Sequence, residues 1–160
     1  MYDDIYDTLL SLMEPLARVR QDPRYHPEGD ALYHSLQVFD RACAADEPPH
    51  MLAAALFHDI GKAIPDGAHE MLGVEVLAPI ANDETLWLVG HHMDLLRDRR
   101  GTRQALRHDP VLDDLERLRA HDDAGRRRNI RVTPLERALG HLLEPGVAEH
   151  WLHPQHIPEA

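Results

Sequence analysis

The chain has one cysteine, Cys43, so an intramolecular disulfide is excluded and a reducing compartment fits. The small thiol reads as a core filler. There is one lysine, Lys62. No stretch is long and apolar enough to span a bilayer, and the acidic start Tyr2-Asp3-Asp4 is unlike a signal peptide. A cytoplasmic protein that uses no membrane is expected. Positive charge is short as well: 17 Lys and Arg stand against 28 Asp and Glu, a net charge of -11. Nonspecific affinity for nucleic-acid backbone is therefore not expected. No internal repeat and no low-complexity segment occurs. No run of β-branched residues with period two occurs either, so strands are not expected. Gly-x-Ser-x-Gly, Walker and Gly-x-Gly-x-x-Gly patterns are missing, which gives no support to a covalent nucleophile or a phosphate-cradling loop.

What the chain has in excess is histidine, thirteen in 160 residues. That length suits one domain with a sizeable core. The apolar spacing predicts an all-α bundle of about 6–8 helices. Ile5, Leu9, Leu12, Leu16 and Val19 mark a helix over 3–20, with Pro15 able to kink it. Asp30 caps a helix over 31–45 with Leu32, Leu36, Phe39 and Cys43 in one stripe and His34 on its flank. Pro48-Pro49 opens the next helix and Gly61 is a natural stop. A helix over 68–80 carries Leu72, Val76 and Ile80 on one face, with His69 one turn earlier. Asn82 or Asp83 caps the helix holding His91 and His92. Of these, His92 shares a flank with Leu88 and Val89, while His91 points toward Glu84 and Trp87. Residues 97–101 read as a charged loop. After Asp109-Pro110, Val111, Leu115 and Leu118 form a stripe whose next position is Asp122, and Gly125 ends that helix. A last helix uses Leu135, Leu139, Leu142 and Leu143, and His150, His153 and His156 lie in a noncatalytic tail.

The stretch Leu56-Phe57-His58-Asp59-Ile60-Gly61-Lys62 organises the chain. Met51-Leu52-Ala53-Ala54-Ala55 precedes it, apolar on every side, and a helix with no polar face is a buried helix. A carboxylate buried with it must be neutralised, paired or bound to a metal. Four helices thus offer His34, His58-Asp59, His69, His92 and Asp122 at positions that can face inward. Imidazole with carboxylate suits Mn, Fe, Co, Ni or Zn better than Ca. If the helix end points at the ion, Asp59 is free to bridge two of them. The chemistry on offer is a metal-activated water.

The order His34, His58-Asp59, Asp122 resembles the HD-domain superfamily of metal-dependent phosphohydrolases. Several segments are similar to the HD domain attached to bacterial CCA-adding tRNA nucleotidyltransferases. They are His26-Pro27-Glu28-Gly29-Asp30 with His34, Phe57 to Lys62, His69-Glu70-Met71-Leu72-Gly73, His92-Met93 and Asp122-Asp123-Ala124-Gly125-Arg126. The resemblance covers roughly residues 25–128 and leaves 129–160 as a C-terminal helix and tail of a single domain, 1–160. It implies an all-helical fold, metal ligands at His34, His58, Asp59 and Asp122, and in dinuclear members two further ligands, matching His69 and His92. The 24 residues ahead of Tyr25 are too few for a nucleotidyltransferase domain, so a free-standing domain is expected and tRNA repair is not implied.

What carries over is phosphatase or phosphodiesterase chemistry on a small phosphorylated substrate, a nucleotide by the resemblance. One or two divalent ions would serve, Mn, Fe, Co or Ni, with Mg or Zn also admissible. Asp59, Lys62 and Asp122 are the expected catalytic residues, with Asp122 taking the water proton. Lys62 and Arg126 are expected to meet the substrate's charge. Two rival readings share the ligand set: a diiron oxygenase, and a noncatalytic metal-binding or interaction module.

Overall fold

A computed structural model describes residues 1–160, and it contains no β-strand, only the isolated bridges Arg20–Asp30 and Ala81–Leu152. Eight helices have eight residues or more: α1 (Asp3–Met13), α2 (Ala31–Ala44), α3 (Pro49–Phe57), α4 (His69–Leu77), α5 (Asp83–His91), α7 (Arg99–Leu106), α8 (Val111–Ala124) and α9 (Leu135–Leu142). A single-turn helix, α6 (Asp94–Arg97), lies between α5 and α7, and four 3₁₀ turns complete the chain.

Helix α3 is the axle. Met51 to Phe57 are all buried, and α3 packs against α2, α5, α8 and α9. With neighbours on every side, a helix needs no polar stripe. Its two ends are set by different chemistry. Pro49 fits the first turn, where its missing N–H costs nothing. At the other end the α-helix stops at Phe57, and a 3₁₀ turn follows over Ile60–Ala63. Gly61 is thus not the helix-ending glycine expected from the sequence. It is needed for close approach: a Cβ there would stand 1.9 Å from His69 O and 2.8 Å from Gly73 N. The missing side chain lets the His58-Asp59 turn sit directly on the start of α4.

Other departures from the sequence pattern have equally local causes. The first helix ends at Met13 and continues as a 3₁₀ turn, Glu14–Arg18, because Pro15 has no N–H to give to the α-ladder. Helix α4 buries Glu70, Gly73 and Leu77 rather than Leu72 and Val76, since Gly61 and Gly73 draw that face inward. The expected loop at 97–101 is the α6–α7 corner. Helix α7 buries no residue, so it left no apolar stripe to read, and Asp98 caps it by accepting from Gly101 N at 2.9 Å. The tail is no loose end: Trp151 is fully buried and donates from Nε1 to Leu142 O at 2.7 Å.

Asp30 caps as the sequence predicts, accepting from Tyr33 N at 2.8 Å, and of Asn82 and Asp83 it is Asn82 that caps, accepting from Thr85 N at 3.0 Å. These caps fix where α2 and α5 start, and therefore which faces of the two helices carry His34 and His92 into the interior. No helix is long and apolar enough to cross a membrane.

Candidate metal centre

Five elements converge beside the end of α3. Helix α2 brings His34, the turn after α3 brings His58 and Asp59, the first residue of α4 is His69, the residue after α5 is His92, and the last turn of α8 carries Asp122. Five of the six are buried, and His69 is partly buried. All six residues expected as ligands therefore meet in one place. His91 does not: it turns outward, stacks on Trp87 and contacts Asp94 Oδ2 at 2.7 Å.

The ligand atoms sort into two sets, each within 4.8 Å internally: His34, His58 and Asp122 in one, Asp59, His69 and His92 in the other. Asp59 belongs to the second set and also faces the first. Its Oδ1 lies 3.3 Å from His69 Nε2 and 3.3 Å from His92 Nε2. Its Oδ2 lies 3.3 Å from His58 Nε2 and 3.8 Å from His34 Nε2.

The far side of each ring determines what the near side can do. His34 Nδ1 donates to Gly125 O at 2.8 Å, His58 Nδ1 to Ala55 O at 2.8 Å and His92 Nδ1 to Val89 O at 2.7 Å. A carbonyl only accepts, so the proton sits on Nδ1 and each Nε2 offers a lone pair to the centre. One of these nitrogens lacks any partner and the other two face atoms of neighbouring ligands. His58 Nε2 is buried with no hydrogen bond. His34 Nε2 faces Asp122 Oδ1 at 2.9 Å, and His69 Nε2 faces His92 Nε2 at 3.1 Å. At each of these contacts a shared proton or a metal ion must sit between the two atoms. This donor set of imidazole and carboxylate fits a divalent metal ion.

Without such an ion, protons carry the load. Burial pushes His58 down, but the charges of Asp59 and Asp122 outweigh it and raise it to about 10. Burial pushes both carboxyls up, and His58 chiefly reverses this, holding Asp59 and Asp122 well below the usual carboxylate range. His92 moves the other way, because burial lowers it more than Asp59 restores it.

Around this centre lies a cavity of ≈ 420 Å³ lined by Tyr25, His26, Asp59, Lys62, Met93, Leu96, Arg119, Asp122 and Arg126. Lys62 Nζ stands 3.1 Å from Asp59 Oδ2 and donates to Gln21 Oε1 at 2.6 Å. Arg126 Nη2 is 3.4 Å from Asp122 Oδ1, and its Nη1 donates to Tyr25 O at 3.1 Å. Tyr25 and Leu96 are exposed at 62% and 60% and form an apolar rim. A larger hollow of ≈ 530 Å³, between the N-terminal helix and the C-terminal segment, contains none of these groups.

Four site residues were not read from the sequence as functional. Arg119 is buried and places Nη2 2.8 Å from Asp122 Oδ2 and 2.8 Å from Asp123 Oδ1. It sits three residues before Asp122, so asking what neutralises Asp122 from its own helix would have found it. Glu28 Oε1 lies 2.8 Å from His26 Nδ1 and 3.1 Å from His34 Nδ1, a carboxylate behind a ligand ring. Glu70 stands behind His69 and pairs with Arg97; burial pushes its carboxyl up, but Arg97, a backbone hydrogen bond and His69 together hold it below the ordinary value. His26 and Glu28 come from an irregular loop, where no periodicity announces an inward face.

The family model for the HD domain matches residues 31–127. Three curated relatives are each named Multifunctional CCA protein. The one from Halorhodospira halophila is 39% identical over 74 residues, 42% of this chain and 18% of the relative. That from Hahella chejuensis is 36% identical over 72 residues, 41% and 17%. That from Methylococcus capsulatus is 40% identical over 72 residues, again 41% and 17%. The chain thus spans less than a fifth of the length of the curated relatives it matches. A helical fold of the expected kind, a His-Asp pair at its centre and a family match over most of the chain lead to one conclusion: this protein belongs to the HD domain family.

Proposed function

We propose that this protein is a metal-dependent phosphohydrolase whose two ion sites share Asp59. The observation that carries the reading is the division of that one carboxylate, Oδ1 toward His69 and His92 and Oδ2 toward His58 and His34, at the floor of a cavity walled by cationic side chains. His34, His58 and Asp122 would hold one ion and His69 and His92 the other. A divalent ion in such a site supplies Lewis acidity toward a phosphoryl oxygen and acidifies water enough to make it a nucleophile near neutral pH.

The chain's own residues supply the rest. Lys62 and Arg126 line the cavity and offer fixed positive charge to the phosphoryl group, where negative charge grows in the transition state. Asp122 has Oδ1 against His34 and Oδ2 against Arg119, and its pKa lies well below the ordinary value. We therefore assign it a ligand's role and not that of proton acceptor. The reaction adds one water: a P–O bond forms to the water oxygen, the bond to the ester oxygen breaks, and that oxygen takes a proton, leaving as an alcohol from a monoester and remaining on the ring-opened product from a cyclic diester.

The substrate we propose is a nucleotide, as a phosphomonoester or cyclic phosphodiester. The cationic floor suits the phosphate, and the exposed rim of Tyr25 and Leu96 suits a planar base. The similarity to Multifunctional CCA proteins points the same way. The test is metal analysis of the purified protein, followed by a hydrolysis screen over nucleotides and phosphodiesters with Mn, Co, Ni and Mg. Turnover that requires metal supports the reading, and metal-loaded protein inert toward every ester overturns it.

A further inference from the structure

Among the histidines of the centre, His69 is the exception. His34, His58 and His92 each have Nδ1 fixed by a backbone carbonyl, whereas His69 Nδ1 has no hydrogen-bond partner. The nearest carboxylate oxygen to it is Glu70 Oε2, at 3.6 Å, just beyond hydrogen-bond range. That oxygen is itself buried and without a partner. A buried carboxylate oxygen lacking a donor and a ring nitrogen lacking an acceptor thus face each other. The other oxygen of Glu70 is taken by Arg97 Nη1, from α6. Behind the first set of ligands a carboxylate stands closer: Glu28 Oε1 is 3.1 Å from His34 Nδ1, whose proton goes to Gly125 O, and Glu28 Oε2 is likewise buried and unpaired.

We infer that Glu70 is a positioning residue that accepts from His69 Nδ1 and thereby sets the affinity of the Asp59-His69-His92 site, with Arg97 holding the carboxylate in place. The inference rests on the two-ion reading above. A carboxylate behind a ligand histidine fixes the ring's tautomer and orientation and raises the basicity of the far nitrogen. Without it, His69 would have to be ordered at each binding event. Arg97 belongs to the same turn as Leu96, and α6 also begins two residues after His92. One short helix therefore follows His92 directly, holds Glu70 beside His69 through Arg97 and forms a wall of the cavity.

The test is calorimetric titration of Mn into chelator-stripped protein, comparing wild type with Glu70→Gln and Arg97→Gln. Wild type should show two sites. Glu70→Gln should weaken one of them by on the order of 10–100-fold, the usual effect of losing an outer partner, and leave the other within about twofold. Arg97→Gln keeps the carboxylate but frees it, and should weaken the same site by a smaller factor. It also keeps the inference testable if Glu70→Gln does not fold. Two wild-type sites that both variants leave unchanged would overturn the inference and leave the two-ion reading standing. So would an equal loss at both sites, which marks a purely structural role. A single wild-type site would overturn both.

Discussion

His34 and Asp122, 88 residues apart, meet with Nε2 2.9 Å from Oδ1 while His34 Nδ1 is already committed to Gly125 O. The lone pair so directed accepts either a proton or a metal ion, and the two must compete. His58 shares the arrangement, and its pKa of about 10 means that the metal-free protein holds that proton at neutral pH. Metal binding at pH 7 should therefore expel protons, and affinity should rise with pH up to about 10. Calorimetry in buffers of differing ionisation heat should show at least one proton released per protein. Release of none would contradict this.

The same shift sets a stability window. A folded pKa above the unfolded value of roughly 6.5 stabilises fully below that value, and the gain is lost as pH rises toward about 10. Chelator-stripped protein should lose melting temperature across that alkaline range. Asp59 and Asp122 are depressed by the same contacts, so the metal-free fold should also weaken as pH falls below roughly 4. Metal-loaded protein should show the alkaline loss much less.

Removing Arg119 should expose what it balances. It is buried, and its loss leaves Asp122 Oδ2 without that cation. Breaking a buried pair from one side typically costs about 3–5 kcal/mol. Arg119→Met should be destabilised by that order in urea unfolding of stripped protein, and by less once metal is added, because an ion again compensates Asp122.

Gly61→Ala should act at a distance. The new Cβ would fall 1.9 Å from His69 O, a backbone atom, so α4 must move. A loss of about 1–3 kcal/mol is expected from overpacking, together with selective weakening of the His69-His92 site. Stoichiometry and affinity unchanged in a destabilised variant would show that α4 moves without carrying His69.

How much of this was legible beforehand depends on what each residue answers to. Asp122 was visible because it continues the stripe of Leu115 and Leu118, and His58-Asp59 because the preceding helix has no polar face. His69 was legible as a group at a helix end, but the buried face of α4 was not. That face is set by backbone contact at Gly61 and Gly73, which apolar periodicity does not record. Helix α7 was missed because it buries nothing. Arg119, Glu28 and Glu70 escaped because charged residues normally read as solvent-facing, and only the charges they meet across the fold explain their burial. The split of Asp59 between two ligand sets is a matter of ångströms, and spacing along the chain indicates only that it is allowed.

The two roles assigned near Asp59 separate cleanly by mutation, and they give the most direct test of the central claim. Hydrolysis of 2′,3′-cyclic AMP, read as ring-opened product, and phosphate release from nucleoside monophosphates should be measured with metal content assayed on the same samples. Wild type should turn over in proportion to bound metal. Asp59→Ala should lose metal and activity together. Lys62→Ala should keep its metal and slow by a factor on the order of 10²–10³, as for loss of a preorganised charge at the transition state. Metal-replete wild type that hydrolyses no ester, but consumes oxygen with a reduced organic substrate, would contradict the hydrolase and favour an oxygenase on the same ligands.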